Sequence, residues 1–203
     1  MGARVLAMTT PTAQQTDPRP LYRDALGWVR GLVDTVPVAR YGDPTPCADF
    51  DVRTLVAHLI ATVGRAQAVS LGEPAISRPS MIEGIPDDDL AATYGRAVDD
   101  LAPLWSNDAV LDSMVQVPWG EVPGRGALWG YLDEALVHGW DLAVATGQDV
   151  EADPALAQAT FAAVVRFLPA EPRGGPVPFG PVVEPTADAG PTERLANWAG
   201  HHR

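Results

Sequence analysis

The sequence predicts an all-α fold, a helical bundle with short extended pieces, an irregular C-terminal strap and a short final helix. Several long segments repeat apolar residues at three- and four-residue spacing, which is typical of helices that bury one face. Only the stretch from Ser113 to Pro123 reads as one or two short extended pieces, around Gly120. A chain of 203 residues is long enough for one good core and short for two.

The first two predicted helices each have an apolar stripe and recognisable ends. The first runs from about Arg19 to Val36. The second runs from about Val52 to Leu71, with Asp51 as its N-cap, Asp49 as the alternative cap, and Gly72 at its end.

The middle of the chain alternates loop and helix. Glu73 to Pro86 is rich in Pro, Gly and Ser, which predicts a long loop of the kind that often serves as a lid or binding loop. A third helix follows from Pro86 to about Trp105, and its acidic first turn suits the helix dipole. The fourth helix is predicted from about Gly126 to Ala145, with Gly147 closing it.

The last third of the chain begins with a helix from about Pro154 to Leu168. The Pro- and Gly-rich stretch from Pro169 to Pro191 predicts the surface strap, and a short helix from about Thr192 to Trp198 follows. At the other end, residues 1–18 are rich in Thr, Gln and Pro, lack the pattern of a signal peptide and predict a flexible leader. We therefore expect one helical domain over residues 19–203.

Charge and cysteine content restrict the function. The chain has 14 basic and 26 acidic residues, a formal net charge of -12, which repels nucleic acid and anionic membrane surfaces. No apolar run approaches the ~18 residues of a membrane span. The single Cys47 excludes an internal disulfide and favours a cytoplasmic location. Neither nucleic acid nor a membrane is therefore an expected partner, and the sequence leaves open a monomer or a homodimer.

The strongest chemical signal lies in the fourth predicted helix, where Glu134 and His138 are four residues apart. That spacing places a carboxylate and an imidazole on one helix face, where both can bind one metal ion. A catalytic metal needs a third protein ligand, and His58 in the second helix is the best candidate. The alternative for His58 is a core histidine bonded to a backbone carbonyl. An unpaired buried Glu134 would cost several kcal/mol, which favours the metal site His58/Glu134/His138.

Two further residues are candidates for catalytic roles. Asp141, three residues after His138, could hold the imidazole of that ligand, although a solvated role is an alternative. Arg65, seven residues after His58, could bind a substrate carboxylate through its planar guanidinium, although a surface salt bridge is the alternative.

Three other residues are weaker candidates. Cys47 could be a ligand or nucleophile, but a lone cysteine more often fills space in the core, and that interpretation is preferred. His201 and His202 are predicted at a frayed end and are weak ligand candidates.

Several stretches resemble one known family. Its first motif is matched by Thr45-Pro46-Cys47 and Phe50 to Leu59, its second by Glu134 to Ala143, and its C-terminal signature by Phe179-Gly180-Pro181 and Glu193-Arg194-Leu195. These residues resemble the mycothiol-dependent maleylpyruvate isomerase-like proteins of the DinB-like superfamily, over about residues 19–200. Two positions depart from the usual pattern: Ala57 stands where the family often has Asn, and Phe50 where it usually has Trp.

The resemblance implies a DinB-like bundle of four long helices in which His58, Glu134 and His138 hold a divalent metal ion, zinc above all, with nickel or iron as alternatives. It also implies mycothiol or another low-molecular-weight thiol as cosubstrate. The isomerase itself carries a further C-terminal domain for which the residues here leave no room. We therefore expect thiol transfer or isomerisation on a small electrophilic substrate rather than the maleylpyruvate reaction in particular.

Three classes of function follow from these expectations. In the first, a thiol that binds the metal loses its proton and attacks the electrophile, so that the protein is an S-transferase or an isomerase. In the second, the bundle binds metal or a small ligand without turnover. In the third, it is a helical interaction module without metal. Metal content separates the third class from the others, and thiol consumption separates the first from the second.

Overall fold

The computed structural model describes residues 17–174 and 179–203. The predicted leader at residues 1–18 falls almost entirely outside them. Within the described residues lie seven α-helices and one β-hairpin: α1 (Arg19–Asp34), α2 (Val52–Ser70), α3 (Leu90–Leu101), α4 (Ala109–Asp112), β1 (Met114–Val117), β2 (Gly120–Pro123), α5 (Gly124–Thr146), α6 (Pro154–Val164) and α7 (Pro191–Ala199).

Four of the longer helices form the bundle, because α1 packs on α5, α5 on α2, α2 on α3 and α3 on α1. Their apolar faces meet in a single core that includes Val29, Leu55, Tyr94 and Leu132, each at most 2% exposed. The all-α, DinB-like bundle predicted from the sequence is therefore confirmed. None of the helices in the two described ranges is long and apolar enough to cross a lipid bilayer.

Helix α5 is the centre of the bundle and apolar on nearly all sides, as expected of a helix surrounded by others. Two glycines let aromatic side chains lie directly on its backbone. A Cβ on Gly130 would stand 2.4 Å from the ring of Trp119, and one on Gly139 would stand 2.3 Å from the ring of Trp28. Gly147, in the left-handed conformation with φ of 69°, ends the helix as predicted.

Helix α2 begins and ends as its sequence predicts. The side chain of Asp51 accepts a hydrogen bond from the Thr54 amide at 2.7 Å, which makes Asp51 rather than Asp49 the N-cap. Gly72, with φ of 77°, follows the end of the helix.

The predicted third helix is interrupted in the structure. Its start, Asp87–Asp89, and the stretch Leu104–Ser106 form 3-10 turns on either side of α3. Pro103 separates α3 from the second turn, because proline has no amide hydrogen to continue the helical bonding. The short helix α4 that follows has no counterpart in the sequence prediction.

The extended pieces predicted around Gly120 are an antiparallel hairpin in which Met114 pairs with Pro123 and Val117 with Gly120. The fifth predicted helix, α6, ends four residues earlier than expected. The strap predicted from Pro169 to Pro191 is followed by α7, which packs on both α5 and α6. This packing brings the segment after α7 back to the middle of the bundle.

Candidate metal centre

The three predicted ligands lie together where α2 crosses α5. His58 is in the second turn of α2, and Glu134 and His138 are in the middle of α5. The Oε2 atom of Glu134 is 3.5 Å from Nε2 of His58 and 3.6 Å from Nε2 of His138. The three donor atoms lie within 4.8 Å of one another. The three side chains predicted from the sequence thus form one cluster in the structure.

These separations suit a shared ion better than direct hydrogen bonds. Zinc holds nitrogen and oxygen ligands at about 2.0–2.2 Å with tetrahedral geometry, so that neighbouring ligand atoms stand about 3.4 Å apart. The separations from Glu134 to the two histidines are close to that value, and beyond ordinary hydrogen-bond length. The side chains are 12% to 28% exposed, so the cluster is partly accessible to solvent.

His138 is held by buried side chains. Its Nδ1 lies 3.0 Å from Oδ2 of Asp141, which is fully buried, and this directs Nε2 of His138 towards Glu134. The Asp141 carboxylate also accepts a hydrogen bond from Nδ1 of His201 at 2.9 Å. The sequence interpretation placed Asp141 beside His138 but treated His201 as part of a frayed end, and the structure corrects that second point.

His201 was missed because the signal for it is not local. It lies 60 residues from Asp141, just after α7, and its ring packs edge-on against His138 with 5.6 Å between the ring centroids. The only hint in the sequence is Gly200 directly before it, a residue suited to the left-handed turn that ends a helix.

His58 is held differently, by the long loop between α2 and α3. The backbone carbonyl of Ser80 lies 2.9 Å from Nδ1 of His58. Phe50 covers the cluster from the loop before α2, with its ring centroid 5.2 Å from that of His58 and 6.4 Å from that of His138. The predicted binding loop therefore contacts the site through its backbone.

The charges in the cluster favour a bound cation. Burial would raise the pKa of Glu134, but the rings of His138 and His58 outweigh it and hold that pKa well below its usual range. Burial would lower the pKa of His138, but Asp141 and Glu134 outweigh it and raise that pKa to about 10. The two carboxylates that flank His138 thus favour a positive charge between them, which a divalent ion could supply in place of a proton.

Asp133, next to Glu134, is a second residue that the sequence interpretation did not single out. Its side chain is buried, and its Oδ1 has no hydrogen-bond partner in the part of the chain that the structure describes. Burial above all, with the negative charge of Glu134, raises the pKa of Asp133 to about 8. This carboxyl group is thus mostly protonated at neutral pH and can donate a hydrogen bond.

Arg65 lies two turns beyond His58 on α2, as predicted, and its Nε donates to the carbonyl of Arg78 at 3.3 Å in the same loop that supports His58. It forms no salt bridge with any residue in the described ranges, so the alternative of a surface ion pair is not observed there. Cys47 is half-buried. Burial first, with the charge of Asp141, raises the pKa of its thiol to about 11, which does not suit a nucleophile.

Comparison with protein families gives one match that covers most of the bundle. The family described as "Mycothiol maleylpyruvate isomerase N-terminal domain" matches residues 22–143, more than half of the chain. The matched range includes all three predicted metal ligands and Asp141.

Similar proteins and structures agree with that match. Uncharacterized protein Rv0738 of Mycobacterium tuberculosis (strain ATCC 25618 / H37Rv) is 29% identical over 187 residues, covering 91% of this chain and 97% of that protein. Uncharacterized protein MT0763 of strain CDC 1551 / Oshkosh gives the same values. The crystal structure of the mycothiol-dependent maleylpyruvate isomerase superposes with a TM-score of 0.56 at 19% identity, over 79% of this chain and 71% of that one. A histidine-to-alanine mutant of that enzyme gives a TM-score of 0.55 at the same identity and coverage. At this identity the structural likeness concerns the fold.

Proposed function

Because the chain belongs to the mycothiol maleylpyruvate isomerase N-terminal domain family, we propose that it is a metal-dependent enzyme that uses mycothiol or a similar small thiol. Its reaction is S-transfer to a small electrophilic substrate or isomerisation of that substrate. The proposal takes residues 19–203 as one domain that acts in the cytoplasm, where low-molecular-weight thiols are kept reduced.

One observation carries the proposal, the convergence of His58 Nε2, Glu134 Oε2 and His138 Nε2 on one point. Three protein ligands in a partly accessible cluster are the arrangement of catalytic rather than structural zinc sites, which are closed by four protein ligands. Two imidazoles and a carboxylate suit zinc, and they also accept nickel or iron. We propose zinc as the resident ion.

A zinc ion at this site would supply Lewis acidity, which lowers the pKa of a thiol that binds it, so that a thiolate is available at neutral pH. The residues of the chain have separate tasks around that chemistry. Asp141 holds His138 in the tautomer that presents Nε2 to the ion. Phe50 covers both imidazoles and keeps water from that face of the site.

Arg65 is proposed to bind the substrate. Its Nε donates to the Arg78 carbonyl, whereas its terminal nitrogens have no hydrogen-bond partner within residues 17–174 and 179–203. We propose that they bind a carboxylate, which guanidinium groups hold with two parallel hydrogen bonds. A substrate anchored there would present its electrophilic carbon to the thiolate. With an activated double bond as the electrophile, the new S–C bond forms as the π bond breaks, and its electron pair moves to the neighbouring activated carbon. If that carbon takes up a proton, the adduct is the product of transfer. If the substrate instead rotates about the new single bond and the electron pair returns to expel the thiolate, the double bond forms again and the product is an isomer.

The experiment that tests this proposal measures metal and turnover on the same samples. Wild type, His138→Ala and the control His202→Ala are purified, analysed for metal and assayed for consumption of mycothiol with a model electrophile. We expect about one zinc per chain and metal-dependent consumption in wild type and in the control, and neither in His138→Ala.

The other outcomes distinguish the remaining classes of function. Metal without thiol consumption, across several thiols and electrophiles, would indicate a metal-binding bundle without turnover. Wild type that takes up no metal even after reconstitution with divalent ions would refute the proposal, and the three residues would then be a buried polar network.

A further inference from the structure

One buried carboxylate joins two histidines from distant parts of the chain. Asp141 on α5 lies 3.0 Å from Nδ1 of His138 and 2.9 Å from Nδ1 of His201. Asp141 is fully buried and the His201 side chain is 18% exposed. The segment after α7 thus touches the residue that orients a proposed metal ligand.

The backbone around His201 is fixed by several independent contacts. Gly200 has a φ of 98°, and a Cβ there would stand 2.9 Å from the backbone of Gly180 in the strap. The amide of His201 donates to the Ala196 carbonyl at 2.9 Å, and the Asn197 side chain donates to the His201 carbonyl at 3.0 Å. The imidazole therefore approaches Asp141 from a defined turn.

The second histidine matters because a buried carboxylate needs more than one donor. A carboxylate has acceptor sites on both oxygens, and leaving a buried one under-satisfied is costly. With His138 as its only donor, Asp141 could rotate or take other partners. With His201 bound as well, the Asp141 carboxylate is held so that it keeps accepting the Nδ1 proton of His138, and Nε2 of His138 stays available.

We propose that His201 is a positioning residue of the metal centre, which fixes Asp141 and through it the ligand His138. This inference rests on the proposed metal centre. It makes metal affinity depend on a residue outside the matched family range, at the end of α7 and held in place by the strap.

We assign His201 as a positioning residue rather than a fourth ligand because its Nδ1 is already bonded to Asp141. His138, Asp141 and His201 form a cluster that could itself hold an ion, but its donor atoms already bond to one another. An ion there would have to break both hydrogen bonds. The nitrogens and oxygen of His58, Glu134 and His138 face one another without such bonds.

The test uses the full chain, stripped of metal, with zinc added in competition with a chromophoric chelator. Wild type is compared with His201→Ala, His201→Asn and the control His202→Ala. We expect the alanine variant to bind zinc about tenfold more weakly, the low end of the range for outer-shell partners. The asparagine variant keeps an N–H donor and stays within about threefold of wild type, and the control is unchanged.

Three results would overturn the inference in this assay. They are zinc affinity of His201→Ala within about twofold of wild type, an equal loss in His202→Ala, and no rescue in His201→Asn. Circular dichroism checks that each variant is folded. His201→Leu, which fills a similar volume without a donor, replaces the alanine variant if that protein does not fold.

Two spectra separate this role from others. With cobalt in place of zinc, a positioning role leaves the coordination number and thus the intensity of the visible bands unchanged, whereas a changed intensity in His201→Ala would make His201 a ligand and overturn the inference.

In metal-free protein, proton–nitrogen correlation of the histidine rings reports the Nδ1 proton of His138. We expect it protected in wild type and exchanging faster in His201→Ala, and unchanged protection would contradict the inference. This readout decides whether His201 fixes Asp141 and His138 even if wild type binds no zinc. That outcome would refute the metal centre, and with it the proposed function, without deciding the contact.

Discussion

The two histidines of the site are supported in contrasting ways. His138 on α5 is held by the fully buried Asp141, which is itself held by His201 from the segment after α7. The ring of His58 on α2 has one hydrogen bond among the described residues, to the backbone carbonyl of Ser80 in the exposed loop between α2 and α3. One half of the site is thus a buried side-chain network, and the other depends on a loop.

The contrast indicates that the two halves of the site have different roles. Charged hydrogen bonds inside a protein are strong and geometrically demanding, so we expect the α5 half to define where an ion would bind. A loop of exposed residues has few buried contacts and moves more easily, so under the proposed function we expect the α2 half to be the side that adjusts to thiol and substrate. Arg65, the proposed substrate-binding residue, contacts the same loop through Arg78.

The largest expected effect on zinc binding comes from removing a proposed ligand in either half. Losing a direct ligand must cost more than the about 10- to 100-fold loss that follows removal of an outer-shell partner, so we expect His58→Ala and His138→Ala each to weaken zinc binding by about 100-fold or more. Chelator competition measures this, with His202→Ala as the control. If His58→Ala kept the zinc affinity of wild type while His138→Ala lost it, α2 would contribute no ligand. The two halves could then not be compared as parts of one site.

The reactivity of Cys47 tests whether burial and the charge of Asp141, in the α5 half, raise the pKa of its thiol. Its loop carries Phe50 across both histidines, and burial together with the Asp141 charge raises the pKa of its thiol to about 11. Because only the thiolate reacts, alkylation at pH 8 should be about 100-fold slower than for an ordinary cysteine. The rate should keep rising roughly tenfold per pH unit up to about pH 11. Mass spectrometry of iodoacetamide-treated native protein measures it, and a plateau near pH 8 would show that burial and the Asp141 charge do not raise the pKa of this thiol.

Removing the buried carboxylate addresses the α5 half directly. Asp141→Asn keeps the shape but replaces one acceptor oxygen by a donor group, so the bond to His138 or the bond to His201 is lost. We expect zinc affinity to fall about 10- to 100-fold. Asp88→Asn, at an exposed position in the loop region before α3, serves as the control. Equal zinc affinity in both variants would mean that the His138 ring is fixed by packing alone.

How much of this could be predicted from sequence depends on whether the signal is local. Some features depend only on residues within a turn of one another, and these are found where predicted. They are the helix ends at Asp51, Gly72 and Gly147 and the Glu134/His138 pair. The break of the third helix at Pro103 was also a local signal, which the interpretation passed over.

The supports of the two histidines had no such signal. His201 reaches Asp141 across 60 residues of chain, by way of a strap whose course no periodicity describes. His58 is supported by a backbone carbonyl, which every residue type has. The residue type at position 80 therefore gives no signal of this contact. Sequence therefore predicted that His58, Glu134 and His138 lie together and that Asp141 lies beside His138, but not how the two halves are held.

The close packing behind the α5 half gives a smaller, structural effect. A Cβ on Gly139, next to His138, would meet the ring of Trp28 at 2.3 Å, so Gly139→Ala should destabilise the fold by about 1–3 kcal/mol. The matched control is Gly126→Ala on the same helix, where the nearest atom is at 3.7 Å and a gain of about 0.5–1 kcal/mol is expected. Urea unfolding measures both, and equal stability of the two variants would contradict the tight packing of α1 on α5.

The smallest effect is expected at Ser80, and it is the sharpest test of the α2 half. If His58 is held by the carbonyl alone, removing the hydroxyl in Ser80→Ala leaves that acceptor in place, so zinc affinity should stay within about twofold of wild type. The same substitution of one polar group on the α5 side, Asp141→Asn, is expected to cost at least about tenfold. A comparable loss in Ser80→Ala would show that the loop fixes His58 through its side chains. The two halves would then differ only in burial, and the α2 side would lose the freedom to adjust that the backbone contact gives it.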